Sequence, residues 1–318
     1  VVRRTLGKGA LYLSALPLSD LLILQGNRLR RFSPFSEVKE RVSSIDKAQV
    51  ARVMVWMLRQ AFSEIDAPYV HLWYYPGQVP SVFIFRVDVD GPAGENLSRL
   101  VQECDRARIT ANFFINRAKC LGMETALNGL LSHEVGSHGD IHNVYDSYEE
   151  NHQNILQGRR WVHEVLSIDT PFFVAPRGLW NRALGEALED LGVPYSSDFG
   201  IDFDGLPYHP FVGNRHLNLL QVPVHPHCAE RAAIQAEEEH LPAPTPQELL
   251  RYYQHVIEYK VARNEPVILY GHPQELGRYA SQILPHLFAM VRKLDLPNLR
   301  YSEFTRWWLE REKVRWSA

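Results

Sequence analysis

Phe85-Arg86-Val87-Asp88-Val89-Asp90-Gly91 closes an apolar run that begins at Val82-Phe83-Ile84. A short apolar run bounded by a glycine reads as a buried strand, and this one ends on two carboxylates. Such a strand delivers acids to the C-terminal edge of a sheet, where parallel α/β folds place their active sites. Three later stretches are candidates to converge on that edge. They are His138-Gly-Asp-Ile-His142, Ala175-Pro-Arg-Gly-Leu-Trp180 and Leu269-Tyr-Gly-His272-Pro273.

Outward from this stretch, strand-like and helical segments alternate. The patterns predict strands at 82–88, 110–116, 134–137, 171–174, 195–197 and 266–270. Helices are expected at 95–107, 123–132, 147–166, 181–191, 246–262, 275–293 and 301–313. This βα alternation implies a parallel sheet, open or closed into a barrel. Residues 199–245 are rich in Pro, His and Gly and read as irregular. Upstream, Gly7-Lys8-Gly9 is a turn and Ala10 to Ala15 is strand-like. A helix is expected from about Asp46 to Glu64, capped by Ser44 and ended by Pro68, with Val50, Val53, Met54, Met57 and Phe62 on its buried face. His71-Leu-Trp-Tyr-Tyr-Pro76 is an aromatic entry to the alternating segments. Residues 1–80 are therefore expected to be a small N-terminal α/β appendage packed on a main domain at 81–318, or the tail of a domain further upstream.

Composition sets outer limits. The chain has 318 residues, 45% hydrophobic and 22% charged, as for a folded globular protein. A net charge of −3 argues against a nucleic-acid partner or an anionic membrane surface recognised through bulk charge. Cys104, Cys120 and Cys228 show no CxxC or metal-knuckle spacing, and their odd number argues against a disulfide framework. No apolar run has the length of a transmembrane segment. The stretch from Ala10 to Leu24 is interrupted by Asp20 and lacks the form of a signal peptide. The compartment is left open, with a lean toward the cytoplasm.

The residue types at the convergent edge suit metal chemistry. Asp90, His138 and His142 form a candidate triad. Histidines at i and i+4 fit one helical turn and bite one ion, unless they are simply two surface histidines four apart. One carboxylate and two imidazoles match the catalytic zinc pattern of three protein ligands and an open position. The neighbouring His133-Glu134-Val-Gly-Ser-His138 is not an HExxH motif, because its second histidine is one residue too far. Asp88 shares a face with Asp90 if both are extended. It reads as a general base or as a carboxylate that orients a ligand. His272 follows a buried strand and reads as a general acid or as a structural histidine. His225-Pro-His227-Cys228 supplies only one side of a site and reads as a loop without metal. Asn96-Leu-Ser98 has the sequon pattern but falls in a helix.

These pieces, in this order, resemble the polysaccharide deacetylase family (NodB-homology domain, carbohydrate esterase family 4). The resemblance covers Ser81 to about Ser317. Val87-Asp88-Val89-Asp90-Gly91 is similar to the family's first motif, His138-Gly-Asp-Ile-His142 to its second and Leu269-Tyr-Gly-His272 to its last. The resemblance implies a distorted barrel of β/α units. It also implies zinc, or another divalent ion such as Co2+ or Mn2+, on Asp90, His138 and His142, with Asp88 as base and His272 as acid. It further implies a carbohydrate substrate and removal of N-acetyl groups from amino sugars or their polymers, a hydrolysis of carbon–nitrogen bonds other than peptide bonds.

The departures are specific. Val89 separates aspartates that are adjacent in the common first motif, a spacing that resembles a divergent branch acting also on small amides, formamides or lipid-linked sugars. In Ala175-Pro176-Arg177-Gly178-Leu179-Trp180 the arginine follows the proline instead of preceding it. Arg177 is expected either to pair with Asp88 or to lie on the loop surface. Trp180 is expected either to wall the sugar site or to join the core. Asp198 resembles the aspartate that tunes the catalytic histidine, with Asp202 and Asp204 as rivals. The chain thus supports three readings: an N-deacetylase, a deformylase or other amidase, and a carbohydrate-binding barrel without turnover.

Overall fold

A computed structural model describes residues 1–7, 9–24, 26–31, 39–92, 94–198, 205–228, 244–277 and 279–315. The N-terminal part opens with an antiparallel pair, β1 (Val2–Leu6) and β2 (Gly9–Leu13). Gly7 between them has φ +58, the left-handed backbone that a two-residue hairpin turn requires. A short helix, α1 (Leu18–Ile23), precedes a second antiparallel pair, β3 (Asn27–Arg31) and β4 (Lys39–Ser43). The long helix α2 (Lys47–Glu64) comes next. Its cap is Asp46, whose side chain accepts from Gln49 N–H, and not Ser44 as the sequence suggested. The helix stops at Glu64, before Pro68 is reached, with Asp66 at φ +52. Its burial is slight: Val53, Met54 and Phe62 are exposed.

The expected alternation then unfolds in order. The strands are β5 (Phe83–Val89), β6 (Ala111–Ile115), β7 (Glu134–Ser137), β8 (Tyr195–Ser196), the small hairpin β9 (Phe211–Val212) and β10 (Arg215–His216), β11 (Leu220–Gln221) and β12 (Val267–Gly271). The helices are α3 (Gly94–Ala107), α4 (Arg117–Cys120), α5 (Glu124–Leu127), α6 (Tyr148–Leu166), α7 (Arg182–Asp190), α8 (Pro246–Ala262), α9 (Pro273–Leu276), α10 (Ala280–Lys293) and α11 (Tyr301–Lys313). The helix expected at 123–132 is only α5 and one 3-10 turn, and the one expected at 275–293 is broken into α9 and α10. The expected strand at 171–174 makes one bridge, Phe173 to Ser137.

Four strands form a parallel sheet in the order β12-β5-β6-β7. Residues 172–174 extend it beyond β7, through Ser137 N–H to Phe172 O and Val174 N–H to Ser137 O. β8 pairs in parallel with β11, and His225 N–H reaches Ile268 O on β12. The strands thus run round a ring whose break, among the described residues, lies between 172–174 and β8.

Both faces of the ring strands are buried, which is why they read as continuous apolar runs. Phe83, Phe85, Val87 and Val89 point outward under α3, α8 and α10, among Leu100, Val256 and Phe288. Ile84 points inward, with Phe114, Tyr195, Leu220, Ile268 and Tyr301 drawn from around the ring. Each such aromatic or aliphatic side chain contributes about 1.5–3 kcal/mol on full burial. Period 2 then fixes the inward direction of Arg86 and Asp88. All three cysteines are buried, and none is in a disulfide. No helix among the described residues is long and apolar enough to cross a membrane.

Candidate metal and catalytic centre

Asp88 is the last inward residue of β5 and is buried, 3% exposed. Both its oxygens accept from Arg86, two residues earlier on the same strand: Nε to Oδ1 and Nη2 to Oδ2, each 2.7 Å. Arg86 is fully buried, donates Nη1–H to Ser197 O, and lies over the rings of Phe114 and Tyr270 at 5.8 and 5.5 Å. Burial alone would push the Asp88 carboxyl up. The Arg86 charge, followed by His138, outweighs it and holds the group below the ordinary carboxylate range. Burial likewise opposes the Arg86 charge, and Asp88 overrides it.

One residue past the strand, Asp90 meets three side chains. Its Oδ1 accepts from Gln274 Nε2 at 3.1 Å. Its Oδ2 lies 3.2 Å from His142 Nε2 and 3.7 Å from His272 Nε2. Against the upward pull of burial, His142 and then His272 and His138 hold Asp90 well below the carboxylate range. His138 is 1% exposed, and its Nδ1–H donates to Val174 O at 2.9 Å. That bond leaves Nε2 as the lone-pair nitrogen. Burial lowers its pKa to about 4, so the ring is neutral, the form a metal requires. Ligand atoms of Asp90, His138 and His142 all lie within 4.8 Å of one another. His142 Nε2 is buried, and its approach to Asp90 is not aligned as a hydrogen bond. Two imidazoles and a carboxylate whose donor atoms converge in this way fit a divalent ion of zinc type.

The histidine pair does not sit on a helical turn. After β7 the chain turns at Gly139, φ +87, and 138–142 is a loop. Asn154 of α6 pins it: Oδ1 accepts from Ile141 N–H at 2.7 Å, Nδ2 donates to Ile141 O and Asn143 O, and the Asn154 carbonyl accepts from Asp140 N–H. His272 stands at the end of β12, beside the Asp90 carboxylate and 5.8 Å, ring to ring, from Tyr270.

The remaining expected residues lie elsewhere. The guanidinium on Asp88 belongs to Arg86. Arg177 is exposed on the turn at 176–178, with φ +59. Trp180 is partly buried: it lies against the cluster around Leu184 and Leu217 and covers Gly185, where a Cβ would come within 2.6 Å of its ring. Asp198 is buried but does not bond His272. Its oxygens accept from Ala175 N–H (2.8 Å), Ser196 Oγ–H (2.5 Å) and Gln221 Nε2 (2.9 Å), which places it across the break in the ring. Asp202 and Asp204 fall outside the described residues. His225 contacts Tyr252 OH at 2.6 Å, and among the described residues the His225–His227 segment forms no metal cluster. Asn96 is in α3 and bonds Gln274 O.

Arg86 and Gln274 have no motif to announce them. For Arg86 the signal is physical: a charge inside an apolar strand needs a buried partner, and the same-face position i+2 is Asp88. For Gln274 no local signal exists, because its contact with Asp90 spans 184 residues.

No protein-family profile matches the chain, and no curated protein matches it. Solved structures do. One described as a polysaccharide deacetylase from Mycobacterium smegmatis superposes with a TM-score of 0.65 at 16% identity, over 79% of this chain and 98% of that one. Another, from Pseudomonas aeruginosa PAO1, gives 0.61 at 13% identity, over 76% and 95%. The allantoinase Puue gives 0.59 at 13% identity, over 74% and 93%. At such identities the likeness is one of architecture, and the chain has the fold of the polysaccharide deacetylases, a distorted (β/α) barrel.

Proposed function

We propose that this chain is a metal-dependent hydrolase that removes an N-acetyl group from an amino sugar or a glycan. The observation that carries the reading is the approach of Asp90, His138 and His142 donor atoms to within 4.8 Å, next to a locked carboxylate, Asp88. A divalent ion held by Asp90, His138 and His142 would supply Lewis acidity and lower the pKa of water. Asp88 is the proposed base. Arg86 occupies one lone pair on each of its oxygens, and the second pair stays available for the proton of the attacking water. Arg86 also fixes the carboxylate plane, which keeps the base aligned without further reorganisation. His272 is the proposed acid: from its place beside Asp90 it delivers a proton to the leaving nitrogen as the carbon–nitrogen bond breaks. We keep the division at residue 80 between appendage and catalytic domain as part of this proposal.

A second reading is favoured by one comparison. The Puue structure is named an allantoinase, so this fold also carries amide hydrolysis on a small molecule. The same residues would then act on a compact amide or formamide.

Zinc content and acid release test both. The purified chain is expected to hold about one zinc per molecule, lost in His138→Ala. Asp88→Asn keeps an oxygen for Arg86 and should keep zinc, while turnover falls by about 10²–10⁴-fold. Acetate released from chitooligosaccharides supports the glycan reading, and acid released only from small amides supports the second. A folded parent chain that takes up no zinc and hydrolyses neither class would leave a carbohydrate-binding barrel and end the hydrolase reading.

A further inference from the structure

A cavity of about 800 Å³ lies between α2 and the barrel. Its walls come from α2, the aromatic segment 71–74, residues 206–211 and residues 262–264. Asn264 lies just before β12, whose far end carries His272. The five residues of that strand span about 16 Å, so the cavity sits at the end of the barrel away from Asp90.

Its chemistry is one-sided. Lys47, Arg52, Arg59 and Arg263 line it, and no acidic residue does among the described residues. Arg52 is paired with the buried Glu265, yet its Nη1 is buried without a hydrogen-bond partner. Arg263 stacks over Tyr259 at 3.8 Å, and its Nε is likewise buried and unpartnered. The guanidinium fork matches a planar or tetrahedral anion. Arg59 lies 3.2 Å from His71 Nε2. Burial, then the charges of Arg59 and Arg311, lower the His71 pKa. Flat faces complete the lining: Trp73 and Tyr208, with Lys47 5.9 Å from the Tyr208 ring centre. The volume falls within the range of about 300–1,000 Å³ typical of small-molecule sites.

We propose that this cavity binds a small anion built on a flat ring, an aryl carboxylate, sulfonate or phosphate, with its acid drawn to Arg59 and Arg263 and its ring against Trp73 and Tyr208. The site is separate from the Asp90 centre and does not depend on the activity assigned there.

Titration calorimetry of the full chain with naphthalene-2-sulfonate, and with neutral 2-naphthol, tests it. One saturable site for the sulfonate is expected, with the naphthol about tenfold weaker or more. Arg263→Gln and Arg59→Gln should each weaken the sulfonate about tenfold and leave the naphthol unchanged. Arg263→Lys should retain more affinity than Arg263→Gln, while zinc uptake at the Asp90 centre, unchanged in all, certifies the fold. His138→Ala should bind the sulfonate like the parent chain. No saturable binding, equal affinity for sulfonate and naphthol, or binding lost in His138→Ala but not in Arg263→Gln would each overturn the proposal.

Discussion

At the scale of the residue, the centre depends on a charge pair that one strand supplies to itself. Arg86 and Asp88 are two apart, so the pleat puts them side by side, and the ring interior removes water from both. A buried pair contributes little net stability, but breaking it leaves a bare charge. Arg86→Met should therefore cost about 3–5 kcal/mol in urea unfolding, and adding Asp88→Leu should restore much of it. A loss confined to Arg86→Met and reversed in the double variant is the expected pattern; a larger loss in the double variant would show that packing, not charge, dominates. Asp90 shows the other kind of dependence. Gln274 holds its Oδ1 from across the barrel mouth, close enough that a Cβ on Gly91 would come within 2.2 Å of Gln274 Nε2. Gln274→Ala should weaken zinc binding by about 10–100-fold, read by competition with a chelating dye, with little change in melting temperature. The acids and histidines of the site were legible because their types are rare together at strand ends. Arg86 was legible only in hindsight of burial, and Gln274 not at all, because its role exists only once 184 residues of chain have been folded back.

At the scale of the element, the residue patterns outlined the helices and apolar runs the strands, and most boundaries agree, although the one cap named, Ser44, gave way to Asp46. Ser147, Asn181 and Thr245 accept from the third residue of α6, α7 and α8, as caps do. The failures have physical causes. The i, i+4 spacing of His138 and His142 suits a helical turn, but Gly139 with φ +87 opens a loop, and tertiary bonds from Asn154 replace the helical ones. α6 approaches this loop so closely that no side chain fits between them. At Gly158 a Cβ would come within 2.6 Å of Gly139 backbone carbon and of Ser137 Oγ, and 2.9 Å of Asp140 N. Gly158→Ala should therefore displace the histidine loop although alanine is the better helix former. The expected cost is about 1–3 kcal/mol of stability together with weaker zinc binding. Gly129→Ala, in open space, is the control and should do neither.

At the scale of the whole molecule, the βα alternation predicted a parallel sheet, open or closed, and the family resemblance implied a barrel, but neither said where the ring breaks. Among the described residues the break lies between residues 172–174 and β8, and side chains bridge it in place of a ladder. Phe172 stacks on Tyr195 at 5.0 Å, Tyr195 donates to Glu134 at 2.8 Å, and Tyr195 stacks on Tyr301 at 5.2 Å. Asp198 is the polar member of this closure. Its three acceptor bonds join Ala175 on one side of the break to Ser196 and Gln221 on the other. Burial raises its pKa, opposed next by Ser196 and Gln221, so the carboxylate is held by its donors against the cost of its desolvation. A residue that tunes His272, the proposed acid, and a residue that closes the ring make different predictions. Asp198→Ala strands three buried donors, each worth about 1–3 kcal/mol when left unpaired, less whatever a water recovers. The midpoint of unfolding should fall markedly, and the acid-release activity of the fraction still folded should stay within a few-fold of the parent. A stable Asp198→Ala with activity lost and its pH profile shifted would instead return Asp198 to the proposed acid, His272.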